Sequence, residues 1–175
     1  TAMQQKFNAD ECHIRISLDY LMQKKAPVSN IASFMDYNIH FEGQKKGNQA
    51  NVLVTIEVPV TTLCPCSKKI SNYGAHNQRS LVTLTLKSRE NLQVEDFIKL
   101  VESESSCDLY ALLKRTDEKY VTEHAYDNPK FVEDIVRDIG AHLENNPDIQ
   151  GYRVESENFE SIHNHSAYAM IDRLT

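Results

Sequence analysis

Apolar and polar residues alternate along the first part of the chain. In residues 12–20 every second position is apolar and the positions between are polar, which is the period of a strand with one buried face. Residues 51–62 are rich in Val, Ile and Thr, although Pro59 predicts an edge strand or a bulge there. Strands are predicted at residues 12–20, 31–42, 51–62 and 80–88, with loops at 24–30 and 43–48.

The period of the apolar positions changes from two to about 3.6 in the second part of the chain. Thr116 offers an N-cap oxygen to a helix there, and the acidic residues that follow it suit the positive end of a helix dipole. Helices are predicted at residues 94–101, 109–113, 116–125 and 131–143, and two further strands at 151–159 and 167–171. Strands, then helices, then strands indicate an α+β fold, with an antiparallel sheet covered on one face by helices.

The composition and net charge of the chain argue for some classes of protein and against others. The chain has 175 residues, of which 41% are hydrophobic and 25% charged, as in ordinary globular proteins. It has no apolar run of about 18 residues and no signal-peptide pattern, so we expect no membrane partner and a cytoplasmic location. The net charge of −6 argues against nucleic-acid binding. Because the chain begins at Thr1 without a methionine, we expect a fragment or a trimmed product.

The segment of residues 58–87 contains the candidate chemistry. Cys64 and Cys66 lie one residue apart and His76 follows, and thiolate with neutral imidazole is a donor set that binds zinc-like ions. Pro65 is expected to keep both cysteines out of helical geometry, in a loop or at a strand end. The alternative is a buried cysteine in a packed turn beside a solvated histidine. Polar and cationic neighbours favour the reactive interpretation, because cations stabilise a thiolate.

The other two cysteines, Cys12 and Cys107, lie in apolar patterns and are predicted to be small core residues. A chain of this size does not need disulfides, and cysteines as close as Cys64 and Cys66 rarely bridge each other. Metal binding or catalysis is therefore the better interpretation of that pair.

Three segments together resemble the prokaryotic GTP cyclohydrolase IB family: LCPCSKKISNYGAHNQRS, KKAPVSNIASFMDY and SIHNHSAY. The resemblance covers nearly the whole chain. It implies the tunnelling fold, with two tandem modules of which residues 1–50 are the remainder of the first and residues 51–175 form the second. It also implies a homotetramer with active sites at subunit interfaces.

The reaction that the resemblance implies converts GTP and water to 7,8-dihydroneopterin triphosphate and formate, the first step towards tetrahydrofolate and, in many bacteria, towards deazapurine-modified tRNA. The implied cofactor is one divalent metal ion per site, zinc, manganese or iron(II), which lowers the pKa of bound water. The implied metal ligands are Cys64, His76 and Glu118. From the residues alone, Glu118 is one acid among 25 and reads as a solvated residue near a helix start.

The remaining candidate residues surround this metal site. Glu133 lies in the first turn of a predicted helix, where a carboxylate also suits the helix dipole; the resemblance makes it the anchor for guanine. If residues 163–165 are extended, His163 and His165 point to opposite sides and have different roles. The full set is Cys66, His163, His165 and Glu160 for proton transfer, and Glu133, Lys68 and Arg79 for substrate binding.

Two alternatives stay open from the sequence. One is a related tunnelling-fold enzyme that acts on another purine or pterin. The other is a non-catalytic metal-binding module, against which the lack of a fourth thiol or imidazole in ligand spacing counts.

Overall fold

The computed structural model describes residues 2–89 and 92–174 as seven strands and five helices. The elements are α1 (Ala2–Phe7), β1 (Glu11–Lys25), β2 (Ala32–Lys46), β3 (Gln49–Leu63), α2 (Pro65–Ile70), β4 (Asn77–Ser88), α3 (Val94–Ser103), β5 (Cys107–Asp108), α4 (Arg115–Asp127), α5 (Val132–Glu144), β6 (Ile149–Phe159) and β7 (Ser166–Asp172). In this part of the chain no helix is long and apolar enough to cross a membrane.

The strands form one antiparallel sheet in the order β1-β2-β3-β4-β6-β7, and β5 pairs with the end of β3. Each predicted strand is present, and most of the observed bounds extend beyond the predicted ones by one to several residues, although β2 begins one residue later than predicted. The sheet is continuous from β1 to β7. Its division into modules of residues 1–50 and 51–175 stays a prediction.

Helices α3, α4 and α5 cover one face of this sheet, where the core lies. The buried positions of β4 alternate along the strand, as expected for a sheet with one covered face. The helices contribute Ile98, Ile135 and Ile139, all fully buried, and the strands contribute Leu84 and Val154 to the same cluster. The α+β class with helices on one face is therefore confirmed.

Strand β1 differs from the prediction in its burial. Ile14, Ile16 and Leu18 share one side of the strand but remain exposed in the chain, at 47%, 49% and 39%. Helices α3 to α5 pack on β3, β5, β6 and β7 and leave this part of the sheet uncovered. Tyr20 and Met22 are half-buried, and full burial begins only at Lys24, near the end of the strand. Cys12 is accordingly half-buried, whereas Cys107 is a core residue as predicted.

The prediction of a helix at residues 109–113 is wrong. Strand β5 is followed there by irregular backbone, whose Leu109 carbonyl accepts a hydrogen bond from Lys24 Nζ at 2.9 Å. A tertiary contact of this kind overrides a local spacing. The predicted N-cap at Thr116 is also wrong, because Lys114 is the N-cap of α4 and its backbone N–H donates to Asp117 Oδ2 at 2.8 Å.

Two further predictions change, one about a loop and one about an edge strand. The hairpin between β2 and β3 is tighter than residues 43–48, because β2 continues to Lys46 and the turn consists of Gly47 and Asn48. Gly47 has a φ of +55°, which glycine adopts without strain. Pro59 lies in an inner strand rather than an edge strand. The pairing of β3 with β2 ends at Glu57, however, and that with β5 starts at Val60, so Pro59 faces no ladder partner on that side.

Candidate active site

Cys64 lies at the junction between β3 and the short helix α2. Its backbone is extended, with φ −70° and ψ 115°, and its Sγ accepts a hydrogen bond from the backbone N–H of Ser67 at 3.4 Å. Cys66 is exposed in the first turn of α2, so the prediction that both cysteines avoid helical geometry is wrong for Cys66. Pro65 restricts the residue before it, but proline is favoured at the first helical position and does not restrict the residue after it.

The segment after α2 returns His76 to Cys64. The backbone N–H of Cys64 donates to His76 O at 3.1 Å, and the backbone N–H of His76 donates to Ser67 Oγ at 3.2 Å. His76 Nδ1 lies 3.1 Å from Gln78 Oε1 and 3.2 Å from Ser161 Oγ. Its Nε2 has no hydrogen-bond partner within residues 2–89 and 92–174. The backbones of Cys64 and His76 are thus adjacent, and a thiolate and an imidazole are suitable ligands for a borderline-soft divalent ion.

Glu118 lies on a different element from Cys64 and His76, namely α4. It is in the first turns of α4, is 52% exposed at its side chain, and accepts a hydrogen bond from Arg115 Nη1 at 3.0 Å. Within the described part of the chain, no three His, Cys, Asp or Glu side chains are close enough to hold an ion together. The donor chemistry of Cys64 and His76 fits a divalent ion.

A cleft of about 450 Å³ lies beside the Cys64–His76 pair, between the loop that carries His76 and the C-terminal half of α4. Its lining residues are Leu63, Tyr73, Gly74, Ala75, Asn77, Thr122, Glu123, Tyr126 and Asp127. Lys68 reaches the same region from α2. Its Nζ donates to the carbonyl of Tyr126 and lies 4.2 Å from the centre of the Tyr126 ring.

Two predicted substrate residues are exposed on separate elements. Arg79 is on β4, next to the buried Gln78, and points to the opposite side of the sheet. Glu133 is in the first turn of α5 and has no hydrogen-bond partner among the residues described. The capping carboxylate of α5 is instead that of Asp134, which accepts from the backbone N–H of Phe131 at 3.0 Å. The presence of Glu133 at the start of α5 is therefore not explained by helix capping.

The start of α5 is tied to the site through its preceding segment. The backbone N–H of Lys130 donates to the carbonyl of Leu63 at 3.1 Å, and Leu63 immediately precedes Cys64. Glu133 therefore follows closely on a segment that is anchored beside the Cys64–His76 pair.

The loop between β6 and β7 carries three more predicted residues, and it also reaches the pair through Ser161. His163 and His165 are exposed and their rings stack, with centroids 5.1 Å apart and planes 17° from parallel. The expectation that they point to opposite sides is wrong, because residues 161–165 form bends rather than extended strand. Glu160 is half-buried at the start of this loop. Neither Ser161 nor Gln78 was predicted from the sequence, since an isolated serine or glutamine gives no signal of its own.

Asp117 is a further residue whose importance the sequence did not reveal. It is fully buried and accepts hydrogen bonds from the Val28 and Ser29 backbone N–H groups, at 2.9 and 2.8 Å, and from Ser29 Oγ at 2.7 Å. Burial raises the pKa of Asp117, but these hydrogen bonds and the one from Lys114 outweigh it and hold the pKa well below its usual range. Asp117 thereby joins the loop between β1 and β2 to the turn of α4 that carries Glu118.

Comparisons with known proteins agree with the resemblance noted in the sequence. The family model described as "Type I GTP cyclohydrolase folE2" matches residues 1–169. A protein of Nitrosococcus oceani named GTP cyclohydrolase FolE2 is 57% identical over 171 residues. Proteins of the same name from Magnetococcus marinus and Methylobacillus flagellatus are 54% and 55% identical. These matches cover 97–98% of this chain and 64–65% of the relatives, so the chain spans about two thirds of their length.

Proposed function

Because the chain belongs to the type I GTP cyclohydrolase folE2 family, we propose that it carries the active site of a metal-dependent GTP cyclohydrolase. The reaction converts GTP and water to 7,8-dihydroneopterin triphosphate and formate, the first step of tetrahydrofolate biosynthesis. The observation that carries the proposal is the meeting of Cys64 and His76 through a backbone hydrogen bond of 3.1 Å beside an open cleft.

One divalent ion, zinc, manganese or iron(II), is held by Cys64, His76 and Glu118 in this proposal. Glu118 must exchange Arg115 for the ion. Their contact is an exposed ion pair, worth at most about 1 kcal/mol, whereas metal binding by a site of protein ligands contributes on the order of 10 kcal/mol. Loss of this ion pair therefore opposes metal binding only weakly. Three protein ligands leave one position open, as in catalytic rather than structural sites.

The chemistry that such an ion supplies when bound is Lewis acidity, which activates water for hydrolysis of the purine ring at C8. Glu133 binds the guanine, because a carboxylate accepts two parallel hydrogen bonds from the ring N–H and the exocyclic amine. Its lack of a partner in the described chain supports this role. Lys68 and Arg79 bind the triphosphate, for which Lys68 must leave Tyr126.

Ring opening and formate release require protons at ring nitrogens. Cys66, His163, His165 and Glu160 are the groups we assign to this transfer. Their support is positional: Cys66 is exposed two residues after Cys64, and the loop of the two histidines contacts His76 through Ser161.

The last part of the proposal concerns the fold and the oligomeric state of the chain. We assign the chain to the tunnelling fold, with tandem modules at residues 1–50 and 51–175, and to a cytoplasmic homotetramer whose active sites lie at subunit interfaces. The apolar side of β1 supports association, because three large aliphatic side chains in a row on one strand would otherwise stay in water: Ile14, Ile16 and Leu18.

The test is to incubate metal-reconstituted protein with GTP and to measure formate together with the fluorescent pterin that oxidation of the product yields. Both should appear, and a chelator should abolish both. Glu118→Gln should lose metal and activity while its thermal unfolding stays near that of the wild type. Glu42→Gln is the matched control, because Glu42 has a comparable exposed pair with Arg15, at 2.8 Å. Formate without pterin, or metal retained by Glu118→Gln, would reject the assignment.

A further inference from the structure

A chain of hydrogen bonds runs from the imidazole of His76 into the sheet. His76 Nδ1 lies 3.1 Å from Gln78 Oε1, and Gln78 Nε2 donates to Thr62 Oγ1 at 2.8 Å. Thr62 Oγ1 and Ser80 Oγ are 2.8 Å apart, and Ser80 Oγ donates to Asn158 Oδ1 at 2.6 Å. We call these five residues, His76, Gln78, Thr62, Ser80 and Asn158, the His76 chain.

The register of the sheet fixes the His76 chain in place. Thr62 on β3 pairs with Gln78 on β4, and Ser80 on β4 pairs with Asn158 on β6. These four side chains are at most 8% exposed. Directly opposed residues on antiparallel strands keep their side chains in contact, and buried polar groups that are fully bonded resist rearrangement.

The direction of the His76 chain determines which imidazole nitrogen carries hydrogen. Each hydroxyl has one hydrogen to donate. Because Ser80 donates to Asn158, Thr62 must donate to Ser80, and Thr62 can then only accept from the amide nitrogen of Gln78. Gln78 therefore presents its carbonyl oxygen to His76. A carbonyl oxygen only accepts, so Nδ1 of His76 carries the hydrogen.

The second contact of Nδ1 is compatible with this arrangement. Ser161 Oγ lies 3.2 Å from Nδ1 and can accept from the same N–H. The hydrogen on Nδ1 leaves Nε2 of the neutral ring with a lone pair and without a protein partner in the described residues. A metal ion requires such a nitrogen.

We propose that Gln78 is a positioning residue for the metal site: held by the His76 chain, it fixes the tautomer of His76 that offers Nε2 to the ion. This inference rests on the proposed function, since it takes His76 as a ligand. Outer partners of this kind hold a metal-binding histidine in one orientation and tautomer, and their loss typically weakens metal binding about 10- to 100-fold.

The first test measures zinc affinity by competition with a chromophoric chelator. Gln78→Leu should weaken binding about 10- to 100-fold. Gln78→Glu should bind more tightly than Gln78→Leu, because a carboxylate still accepts from Nδ1–H, although it no longer donates to Thr62. Gln44→Leu is the control for loss of a glutamine elsewhere, since Gln44 contacts Glu11 on the surface. Thermal unfolding of each metal-free variant shows whether it folds.

The second test observes the tautomer itself. Nitrogen-15 shifts of labelled histidine, recorded on metal-free protein at about pH 8, where an ordinary imidazole is neutral, should show hydrogen on Nδ1 of His76. The His76→Gln variant identifies the signal. Hydrogen on Nε2 in the wild type would mean that the His76 chain runs in reverse, with both amides turned over, and would overturn the inference.

Different results would overturn the proposed function and the role of Gln78. If the wild type binds no divalent ion, the proposed function is overturned together with this inference. If the wild type binds zinc and Gln78→Leu binds it equally well, the inference alone is overturned.

Discussion

The ammonium group of Lys24 allows a direct test of what holds β1 to the rest of the fold. Its Nζ donates to Glu102 Oε1 and Asp108 Oδ2, both at 2.7 Å, and to Leu109 O at 2.9 Å, so all three hydrogens are used. The side chains of Lys24 and Glu102 are each 8% exposed. Methionine at this position keeps the length of the side chain and removes its charge and donors. We expect Lys24→Met to destabilise the fold strongly.

The magnitude follows from what the substitution leaves behind. The Glu102 carboxylate stays buried, and Tyr37 OH, at 2.7 Å, becomes its one remaining donor among the described residues. Removing one partner of a buried ion pair costs about 3–5 kcal/mol. Burial raises the pKa of Glu102 and Lys24 opposes the rise, so protonation of Glu102 in the variant holds the loss near the lower end. A loss of about 3 kcal/mol, at roughly 2–4 °C per kcal/mol, should lower the melting temperature by roughly 6–12 °C.

The assay is thermal unfolding followed by circular dichroism, with chelator present and at one protein concentration, so that neither metal nor association differs between samples. Lys25→Met is the control, because Lys25 is the exposed neighbour and its loss should change stability by no more than about 0.5 kcal/mol. An unfolding free energy of Lys24→Met within about 1 kcal/mol of the wild type, or an equal loss in the control, would contradict this role of Lys24.

Three further outcomes are expected. Iodoacetamide at about pH 8 should label the exposed Cys66 and spare Cys107. Burial raises the pKa of the Cys107 thiol to about 12, and a protonated thiol reacts poorly. Equal labelling of the two cysteines, measured by peptide mass spectrometry, would contradict this. Ile139→Ala should lose about 2–5 kcal/mol in urea unfolding, since Ile139 is fully buried, and a loss below about 1 kcal/mol would be inconsistent with the described core. Gly151→Ala should cost about 1–3 kcal/mol, because its Cβ would lie 2.9 Å from the Arg173 carbonyl; unchanged stability would show that this carbonyl moves freely.

The strands could be predicted because their signal is local. Alternation in residues 12–20 depends on neighbours two positions apart, and the same is true of the helical stripe in α5. Burial was less predictable, because it depends on which elements lie above a strand. Ile14 and Ile16 have the pattern of a buried face, yet they are 47% and 49% exposed, because helices α3 to α5 pack mainly on β3, β5, β6 and β7. Residues 109–113 have helical spacing, but contacts from Lys24 and β3 hold that region in another conformation.

The candidate site could likewise be predicted only in part from the sequence. A site with His76 and one of the two cysteines was predicted from their chemistry, and the resemblance favoured Cys64. The loop closure that brings Cys64 and His76 together is visible only in three dimensions. Gln78 and Ser161 meet at one imidazole although they are far apart in the chain. No periodicity encodes such a contact. The joining of Glu118 to the other two ligands stays a prediction.

The central claim is that one metal ion per chain makes this site convert GTP. Metal-free protein is titrated with zinc, manganese or iron(II) under anaerobic conditions, and formate release from GTP is measured at each addition. The rate should rise in proportion to added metal, stop rising at one ion per chain and disappear in Cys64→Ala. Formate release without metal, or a saturated site that releases no formate, would contradict it.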